Sequence, residues 1–198
     1  MTLVPVHWFP SPFFSWALAF CFFGWALLEF VNHWVGKWGR LGETKQASDR
    51  GSYWLLIITV YVCFCLAYVG RALNWGVAIG AVQYGGLGLM VAGIALREWA
   101  VVVLRRYFSV VVALEADHRL VVAGPYRRLR HPAYTGGLMA MVGFALALGS
   151  WLSGMPIVVL LLLAFSYRIG LEEQLLLAAF GNTYRNYISR TWRLFPGW

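Results

Sequence analysis

The chain has 198 residues, of which 61% are hydrophobic and only 12% are charged. Because a soluble domain carries about twice that charged fraction, this composition excludes an ordinary water-soluble globule and indicates a protein solvated by lipid. The net charge of +8 does not indicate nucleic-acid binding, since the basic residues cluster in a few loops between long apolar runs, as in the cytoplasmic loops of bilayer proteins.

Five segments are apolar over a length that suits a transmembrane helix, which needs about 20 such residues. The third segment continues as a predicted helix through Leu104. Only Gly149 and Ser150 separate the last two segments, so we expect these two to form a tight antiparallel hairpin. The predicted spans are Phe13–Val35, Tyr53–Val69, Trp75–Leu96, Ala133–Leu148 and Trp151–Tyr167.

The basic residues indicate the orientation of these spans, because cytoplasmic loops collect Lys and Arg. One set of loops holds Arg71 alone, whereas the other set is strongly basic. We therefore predict an all-α polytopic membrane protein with five transmembrane helices and its N-terminus outside. The basic loops contain Lys37, Arg40, Lys45 and Arg50, then Arg105, Arg106, Arg119, Arg127, Arg128 and Arg130, and finally Arg168, Arg185, Arg190 and Arg193.

Two segments, Arg105–Pro132 and Arg168–Trp198, are too polar to span a membrane, and both fall on the predicted cytoplasmic side. We therefore divide the chain into residues 1–104, with membrane helices one to three, and residues 105–198, with the polar loop, helices four and five and the C-terminal helix. Apolar residues at helical spacing from Leu171 to Phe180 predict that last helix as amphipathic and cytoplasmic, ending at Gly181.

Three further features of the spans have ordinary structural interpretations. The cysteines Cys21, Cys63 and Cys65 lie inside apolar segments, where an odd number indicates neither a disulfide framework nor a metal site. The glycine-rich third span lacks the strand–turn–helix context of a nucleotide loop, so we expect Gly76 and Gly80 to permit close helix packing. Arg97 and Glu98 are interpreted as snorkelling or paired charges at the membrane surface.

The stretch HRLVVAGPYRRLRHPAY, from His118 to Tyr134, contains the first candidate site. Pro132 favours the first position of a helix, and the fourth span begins there. A helix N-terminus at the cytoplasmic rim suits an anionic group, such as the carboxylate of an amino-acid cofactor. The alternative interpretation, a basic loop followed by a helix cap, is equally consistent with these residues.

The second candidate cluster comprises Arg168, Glu172 and Glu173, directly after the last apolar run. Arg168 and Glu172 are four residues apart, so they share a helix face and can pair. Ionisable groups near membrane depth are candidate functional residues, although interfacial snorkelling explains them as well.

Together, GPYRRLRHPAY and RIGLEEQLLLAAFGNTYRNY resemble the isoprenylcysteine carboxyl methyltransferase family and its phospholipid-methylating relatives, over about Phe108 to Pro196. The resemblance implies a membrane methyltransferase that uses S-adenosylmethionine, with residues 105–198 as its catalytic region. It implies that Arg168 binds the reacting end of the substrate and that Glu172 lies near the cofactor and the reaction centre, both as catalytic residues. The cofactor-lining residues implied are His118, Arg119, Leu120, Val121, Tyr126, His131, Pro132, Ala133, Tyr134 and Glu172.

One departure from the family pattern bears on the substrate. The prenylcysteine enzymes have a glutamine upstream of the H-x-L-V segment, whereas this chain reads Val110-Val111-Val112. We expect a lipophilic acceptor, with carboxylate O-methylation favoured, although a phospholipid amine or a lipophilic thiol is also consistent with the sequence. A carboxylate with a pKa of roughly 4 needs no base at neutral pH. An amine acceptor would need deprotonation, for which Glu172 is the candidate base.

Two other functions are consistent with the motifs. Membrane sterol and steroid reductases, which use NADPH, carry a similar R-H-P-x-Y-x-G pattern, usually followed by an acidic residue where this chain has Gly137. A non-catalytic membrane protein that kept the scaffold would bind neither cofactor. The expected partners are membrane lipids and a lipophilic or lipid-modified substrate, not nucleic acid. The short loops suggest a prokaryotic cytoplasmic membrane rather than the endoplasmic reticulum, with the active site facing the cytoplasm.

Overall fold

The computed structural model describes residues 9–38, 44–47, 49–104, 107, 113–115 and 119–197, and the side chains among these except at 35–38, 44–47 and 113–115. Within these ranges the fold consists of six α-helices, one short 3-10 helix and two very short strands. The helices are α1 (Pro12–Trp38), α2 (Ser52–Ala72), α3 (Ala81–Leu104), α4 (Pro132–Ala147), α5 (Trp151–Phe180) and α6 (Asn182–Ile188), with the 3-10 helix at Gly124–Arg127 and the strands β1 (Thr44–Ala47) and β2 (Ala113–Glu115).

Four of these helices, α1, α2, α3 and α5, are long and apolar enough to cross a bilayer, and α4 is a shorter apolar helix. With 16 residues, α4 is about 24 Å long at 1.5 Å per residue, against a hydrocarbon core of about 30 Å. Large apolar side chains are exposed along α1 and α2, including Phe20 at 80% and Trp54 at 65%. The architecture is therefore that of a multi-pass helical membrane protein, as the sequence predicts.

The two strands depart from a purely helical fold. β1 and β2 pair antiparallel and join the loop before α2 to the loop after α3. These are the first two of the basic loops identified in the sequence, so the strand pair brings them to the same end of the molecule.

The helix α5 corrects one prediction. The amphipathic stretch from Leu171 to Phe180 is not a separate helix but the last turns of α5, which runs unbroken from Trp151. No helix-breaking pair of residues interrupts the sequence around Tyr167, so the fifth predicted span and the amphipathic segment join. Gly181, with φ +51°, ends α5 as predicted, and the short α6 follows.

Close packing of α3 against α4 uses glycines other than those predicted. Gly76 and Gly80 precede α3 in a turn with φ of +58° and +69°, so neither lies in the helix contact that was predicted. Gly76 does allow a close approach, to the Trp151 and Leu152 side chains at the start of α5, whereas Gly80 has nothing within 4 Å. The helices approach instead at Gly93 and Gly136, where a Cβ built on either residue would lie 2.6 Å from the other's carbonyl oxygen. Gly86 contacts the α4 backbone in the same way, one heptad earlier. The general interpretation, small residues that let membrane helices touch, holds at these positions.

A C-terminal strap, defined here as residues 190–195, holds the loop before α4. Trp192 N–H donates to the Arg128 carbonyl at 2.9 Å, and Arg130 N–H donates to the Trp192 carbonyl at 2.7 Å. Leu194 is fully buried, and its carbonyl accepts a 2.6 Å hydrogen bond from the Thr135 hydroxyl. The end of the chain therefore fixes the position of the segment that leads into α4.

Candidate active site

The two candidate clusters from the sequence meet at the first turn of α4. The Tyr134 hydroxyl donates to Glu172 Oε1 and accepts a 2.7 Å hydrogen bond from Arg168 Nε. Arg168 Nε also lies 3.2 Å from Glu172 Oε1, which confirms the predicted pairing four residues apart. Tyr134 is thus the side chain through which the α4 motif contacts the polar end of α5.

His131 lies between two carboxylates of α5. Its Nδ1 is 3.5 Å from Glu172 Oε2, and its Nε2 is 3.3 Å from Glu173 Oε1. Burial lowers the pKa of the imidazole, but hydrogen bonds and charge from Glu172 and Glu173 outweigh it and raise the pKa above its ordinary value. This shift favours the imidazolium form, and both ring nitrogens of His131 link the loop to α5 through Glu172 and Glu173.

Glu173 is bound into the structural frame of the site. Arg130 Nε lies 3.0 Å from one of its oxygens, and Arg193 of the strap lies 2.8 Å from the other. With His131 also in contact, three cationic groups surround this carboxylate, and it is not among the residues that line the cavity described below. Glu172, in contrast, lines that cavity.

Arg168 is held from a second direction by the loop that precedes α2. One terminal nitrogen lies 3.1 Å from Ser52 Oγ and 3.4 Å from Asp49 Oδ1. Asp49 also accepts from the Ser52 hydroxyl at 2.9 Å and from the Tyr53 N–H at 3.2 Å, which closes the start of α2. Arg168 is only 2% exposed. Its guanidinium lies between the Glu172 carboxylate of α5 and the Asp49 carboxylate of the loop before α2.

The loop before α4 places the aromatic residue Tyr126 at the cavity wall. Its carbonyl accepts a 2.7 Å hydrogen bond from the Tyr187 hydroxyl of α6. Burial, followed by the Glu172 carboxylate, raises the pKa of Tyr126 well above its usual range. Its hydroxyl therefore stays protonated and uncharged beside the reaction end.

At the start of α4, where the sequence predicted an anion-binding site, some of the backbone N–H groups already donate hydrogen bonds within the chain. The N–H groups of Tyr134 and Thr135 both donate to the His131 carbonyl, and the His131 N–H donates to the Arg193 carbonyl at 3.1 Å. Pro132 has no N–H to offer. Arg130 and His131, which pair with Glu173 and with both glutamates respectively, also line the cavity next to this helix terminus.

A cavity of about 620 Å³ extends from this polar cluster to apolar side chains of α1, α2, α4 and α5. Its polar part, called the reaction end here, includes Tyr126, His131, Tyr134, Arg168 and Glu172. Another part, called the apolar arm, is lined mainly by α1 and α2. The arm is lined by Phe22, Trp25, Ala26, Leu56, Ile57, Val60, Tyr61, Phe64, Met141, Leu161 and Phe165.

Most of the predicted cofactor residues line the cavity, but not all of them do. Leu120, Val121 and Ala133 also line the cavity, in addition to the residues of the reaction end. Arg119 is exposed and does not line the cavity, and Pro132 is buried. His118 lies outside the described residues.

An ion pair that the sequence did not assign to the site forms part of the cavity wall. Arg97 of α3 binds the Glu29 carboxylate through Nε and, at 2.7 Å, through a terminal nitrogen. Its other terminal nitrogen lies 3.3 Å from the Ala133 carbonyl in the first turn of α4. Glu98 pairs with Asn32 instead, at 3.0 Å. Ion pairs between residues three or four apart on a helix can be predicted from sequence. Arg97 and Glu29 are 68 residues apart, so no local pattern predicts their pairing.

The arrangement suits a reaction between a polar and a lipophilic partner. A carboxylate, an arginine and an imidazole converge at the reaction end, while the apolar arm is lined by aliphatic and aromatic side chains. A pocket that is mainly apolar with a few convergent polar groups is the usual form of a small-molecule site. Such a cavity could orient a polar group at the reaction end and hold an apolar group in the arm.

Comparisons with known proteins all indicate one family. The model of the isoprenylcysteine carboxyl methyltransferase (ICMT) family matches residues 86–178. A solved structure of a eukaryotic intramembrane Ras methyltransferase, isoprenylcysteine carboxyl methyltransferase, is similar with a TM-score of 0.64 and 25% identity, covering 91% of this chain and 68% of that chain.

Relatives in sequence carry matching names. A probable protein-S-isoprenylcysteine O-methyltransferase of Oryza sativa subsp. indica is 37% identical over 55% of this chain, and the protein-S-isoprenylcysteine O-methyltransferase of Schizosaccharomyces pombe is 34% identical over 62%. Protein-S-isoprenylcysteine O-methyltransferase A of Arabidopsis thaliana is 30% identical over 67%. The matches cover 58%, 52% and 66% of those proteins, so the first two match this chain over little more than half of their own length.

Proposed function

Because this chain belongs to the isoprenylcysteine carboxyl methyltransferase family, we propose that it is an integral membrane methyltransferase that uses S-adenosylmethionine. The acceptor is a lipophilic molecule, with carboxylate O-methylation as the favoured reaction. The observation that carries the proposal is the single cavity that joins the Tyr134–Arg168–Glu172 cluster to the apolar arm. The names of the relatives reported above favour a methyltransferase over a reductase.

The charges of the reaction end fit a cofactor that carries both signs. Glu172 suits a cationic sulfonium, since a carboxylate at a water-poor site interacts strongly with positive charge. Arg130 and His131 suit the carboxylate of the methionine part, and Leu120, Val121 and Tyr126 offer apolar contact. When bound, S-adenosylmethionine would supply an electrophilic methyl group for an in-line displacement by the acceptor oxygen, in which the sulfur–methyl bond breaks and S-adenosylhomocysteine leaves.

Arg168 is proposed to orient the acceptor's reacting group. Its charge persists in essentially any environment, and the contacts with Tyr134, Ser52 and Asp49 hold the guanidinium in one place. A carboxylate acceptor needs no deprotonation at neutral pH, so positioning and exclusion of water are sufficient contributions from the protein. For an amine acceptor, Glu172 remains the candidate base.

The apolar arm gives the first two membrane helices a role. We propose that residues 1–104 build most of the acceptor's binding surface and that residues 105–198 supply the reaction end. The two parts also contact each other, because Asp49 and Ser52 of the first part hydrogen-bond Arg168 of the second. The acceptor's lipid part then lies in the arm, and the relatives' names suggest an isoprenylcysteine as its chemical class.

We further propose five spans, with α4 as a short one paired to α5 through the three residues 148–150 and the reaction end on the cytoplasmic side. The distribution of arginine supports this orientation. The relatives named above come from plants and a fission yeast, so they give no support to the prokaryotic membrane expected from the short loops.

The decisive test is methyl transfer by the purified protein in detergent or lipid. The protein is incubated with methyl-labelled S-adenosylmethionine and an S-farnesylcysteine derivative, and the label is measured in the extracted lipophilic product. We expect a base-labile labelled ester, as a carboxyl methyl ester should be. A base-stable product would indicate N-methylation, and stabilisation by NADPH but not by S-adenosylmethionine would overturn the assignment.

A matched variant tests the reaction end. R168Q removes the charge but keeps hydrogen-bonding atoms, and we expect turnover to be lost while S-adenosylmethionine still raises the melting temperature. Removing one partner of a buried ion pair destabilises the fold by about 3–5 kcal/mol. R168K, which keeps the positive charge, therefore serves as the comparison that separates loss of stability from loss of turnover. Wild-type turnover in R168Q would remove Arg168 from the site.

A further inference from the structure

The apolar arm has two distinct ends because α1 and α2 run antiparallel along it. At the cytoplasmic end the His33 and Tyr53 rings are 6.1 Å apart between centroids. At the other end the Phe22 and Phe64 rings are 5.3 Å apart and nearly perpendicular, at 88°. All four of these side chains line the cavity.

The deep end is closed by three phenylalanine rings, named here the aromatic end wall: Phe22 of α1, Phe64 of α2 and Phe144 of α4. Phe144 lies 5.3 Å from each of the other two rings, stacked at 28° on Phe22 and edge-on at 81° to Phe64. Phe144 is 1% exposed and does not line the cavity, so it supports the two rings from behind. Each ring is thus held by two others in the offset or edge geometry that aromatic pairs prefer.

The depth of the arm follows from helix geometry. Tyr134 of the reaction end and Phe144 of the end wall are ten residues apart on α4, which corresponds to about 15 Å at 1.5 Å per residue. Between these levels the arm is lined by Gly137 and Met141 on α4 and by Ala26 on α1. The arm therefore has a defined length with a rigid stop.

We propose that the aromatic end wall limits the length of the acceptor's hydrocarbon tail. The inference rests on the proposed function and adds a specificity determinant to it. A tail that reaches the wall while its polar group lies at Arg168 binds productively. A longer tail meets Phe22 and Phe64, which are partly buried and pack against the buried Phe144 of the core, so its polar group is held away from the reaction end.

The inference is tested with variants that move the stop in opposite directions. F64A removes a ring from the wall and should admit longer tails. A26F adds a ring to an exposed alanine in the arm and should admit only shorter ones. F23A is the matched control, because Phe23 adjoins Phe22 with 5.4 Å between ring centroids but is 68% exposed on the outer surface and does not line the cavity.

Each variant is assayed with N-acetyl-S-prenylcysteines that carry geranyl, farnesyl or geranylgeranyl tails. Both kcat/KM and the equilibrium Kd of each compound are measured. We expect F64A to raise the ratio of kcat/KM for the longest to the shortest tail by about tenfold or more, and A26F to lower it by a similar factor, the scale on which apolar pockets discriminate small differences in size. F23A should leave the ratio unchanged.

The two readouts separate this inference from the proposed function. If wild-type protein binds the compounds but does not methylate them, the proposed reaction is wrong and the length profile of Kd still decides the role of the wall. If F64A and A26F both fold and keep the wild-type length profile in Kd and kcat/KM, the wall does not set tail length. If no compound binds to the wild type, both ideas are overturned. F22L, which keeps an apolar residue, replaces F64A should that variant fail to fold.

Discussion

Replacing Tyr134 by phenylalanine tests how the two motifs work together. The hydroxyl donates to Glu172 and accepts from Arg168 Nε at 2.7 Å, so Y134F removes two hydrogen bonds to charged groups. The ring should stay in place, because it packs against Phe165 with 4.9 Å between centroids. The perturbation is therefore confined to one oxygen atom.

The expected magnitude follows from what remains after the change. Arg168 Nε keeps its own 3.2 Å contact with Glu172, so only part of the network is lost. A hydrogen bond to a charged group contributes about 1.5–3 kcal/mol, which corresponds to roughly 10- to 150-fold in kcat/KM if it is expressed in the transition state. We expect a loss in that range, with kcat falling more than KM changes, because the acceptor's tail still binds in the apolar arm.

Steady-state methylation kinetics with an S-prenylcysteine acceptor measure this loss. Y84F is the control, since Tyr84 packs against Phe14 in α1, well away from the reaction end, with 5.0 Å between ring centroids. It removes the same atom from the same residue type. A kcat/KM for Y134F within about twofold of wild type, with Y84F also unaffected, would refute the idea that the hydroxyl orders the reaction end.

Three further predictions follow from single contacts. The pKa of His131 is raised in the folded protein, so its contribution to stability is full below about pH 6.5 and is lost as pH rises through the folded pKa; thermal unfolding in detergent should show this slope for wild type but not for H131Q. A double-mutant cycle with E29Q and R97Q should give a coupling free energy of about 0.5–3 kcal/mol for unfolding, and simple additivity would show that the ion pair contributes nothing. G93A should destabilise, because the new Cβ would lie 2.6 Å from a carbonyl of α4, whereas G85A, with nothing within 4 Å, should be neutral or stabilising by up to about 1 kcal/mol; equal melting temperatures for the two variants would contradict the packing at Gly93.

The clusters of the candidate site were predictable where their residues are close in sequence. Arg168 and Glu172 share a face because four residues make about one helical turn, and the structure shows them in contact. Only the tertiary structure shows that His131 contacts Glu173. It also shows that Glu172 lines the cavity whereas Glu173 does not.

The sequence by itself indicated that the protein is solvated by lipid and where most of its helices lie, because hydrophobicity and helical periodicity are local properties of the chain. Composition indicated lipid, Pro132 marked the start of α4, and Gly181 marked the end of α5. Tertiary structure alone decided which distant residues meet. Asp49 on Arg168, Glu29 on Arg97 and the strap on the loop before α4 are contacts between segments tens of residues apart, and no local pattern encodes such partners. The same holds for the glycines of α3, since a small residue permits close approach but only the neighbouring helix determines which one is used.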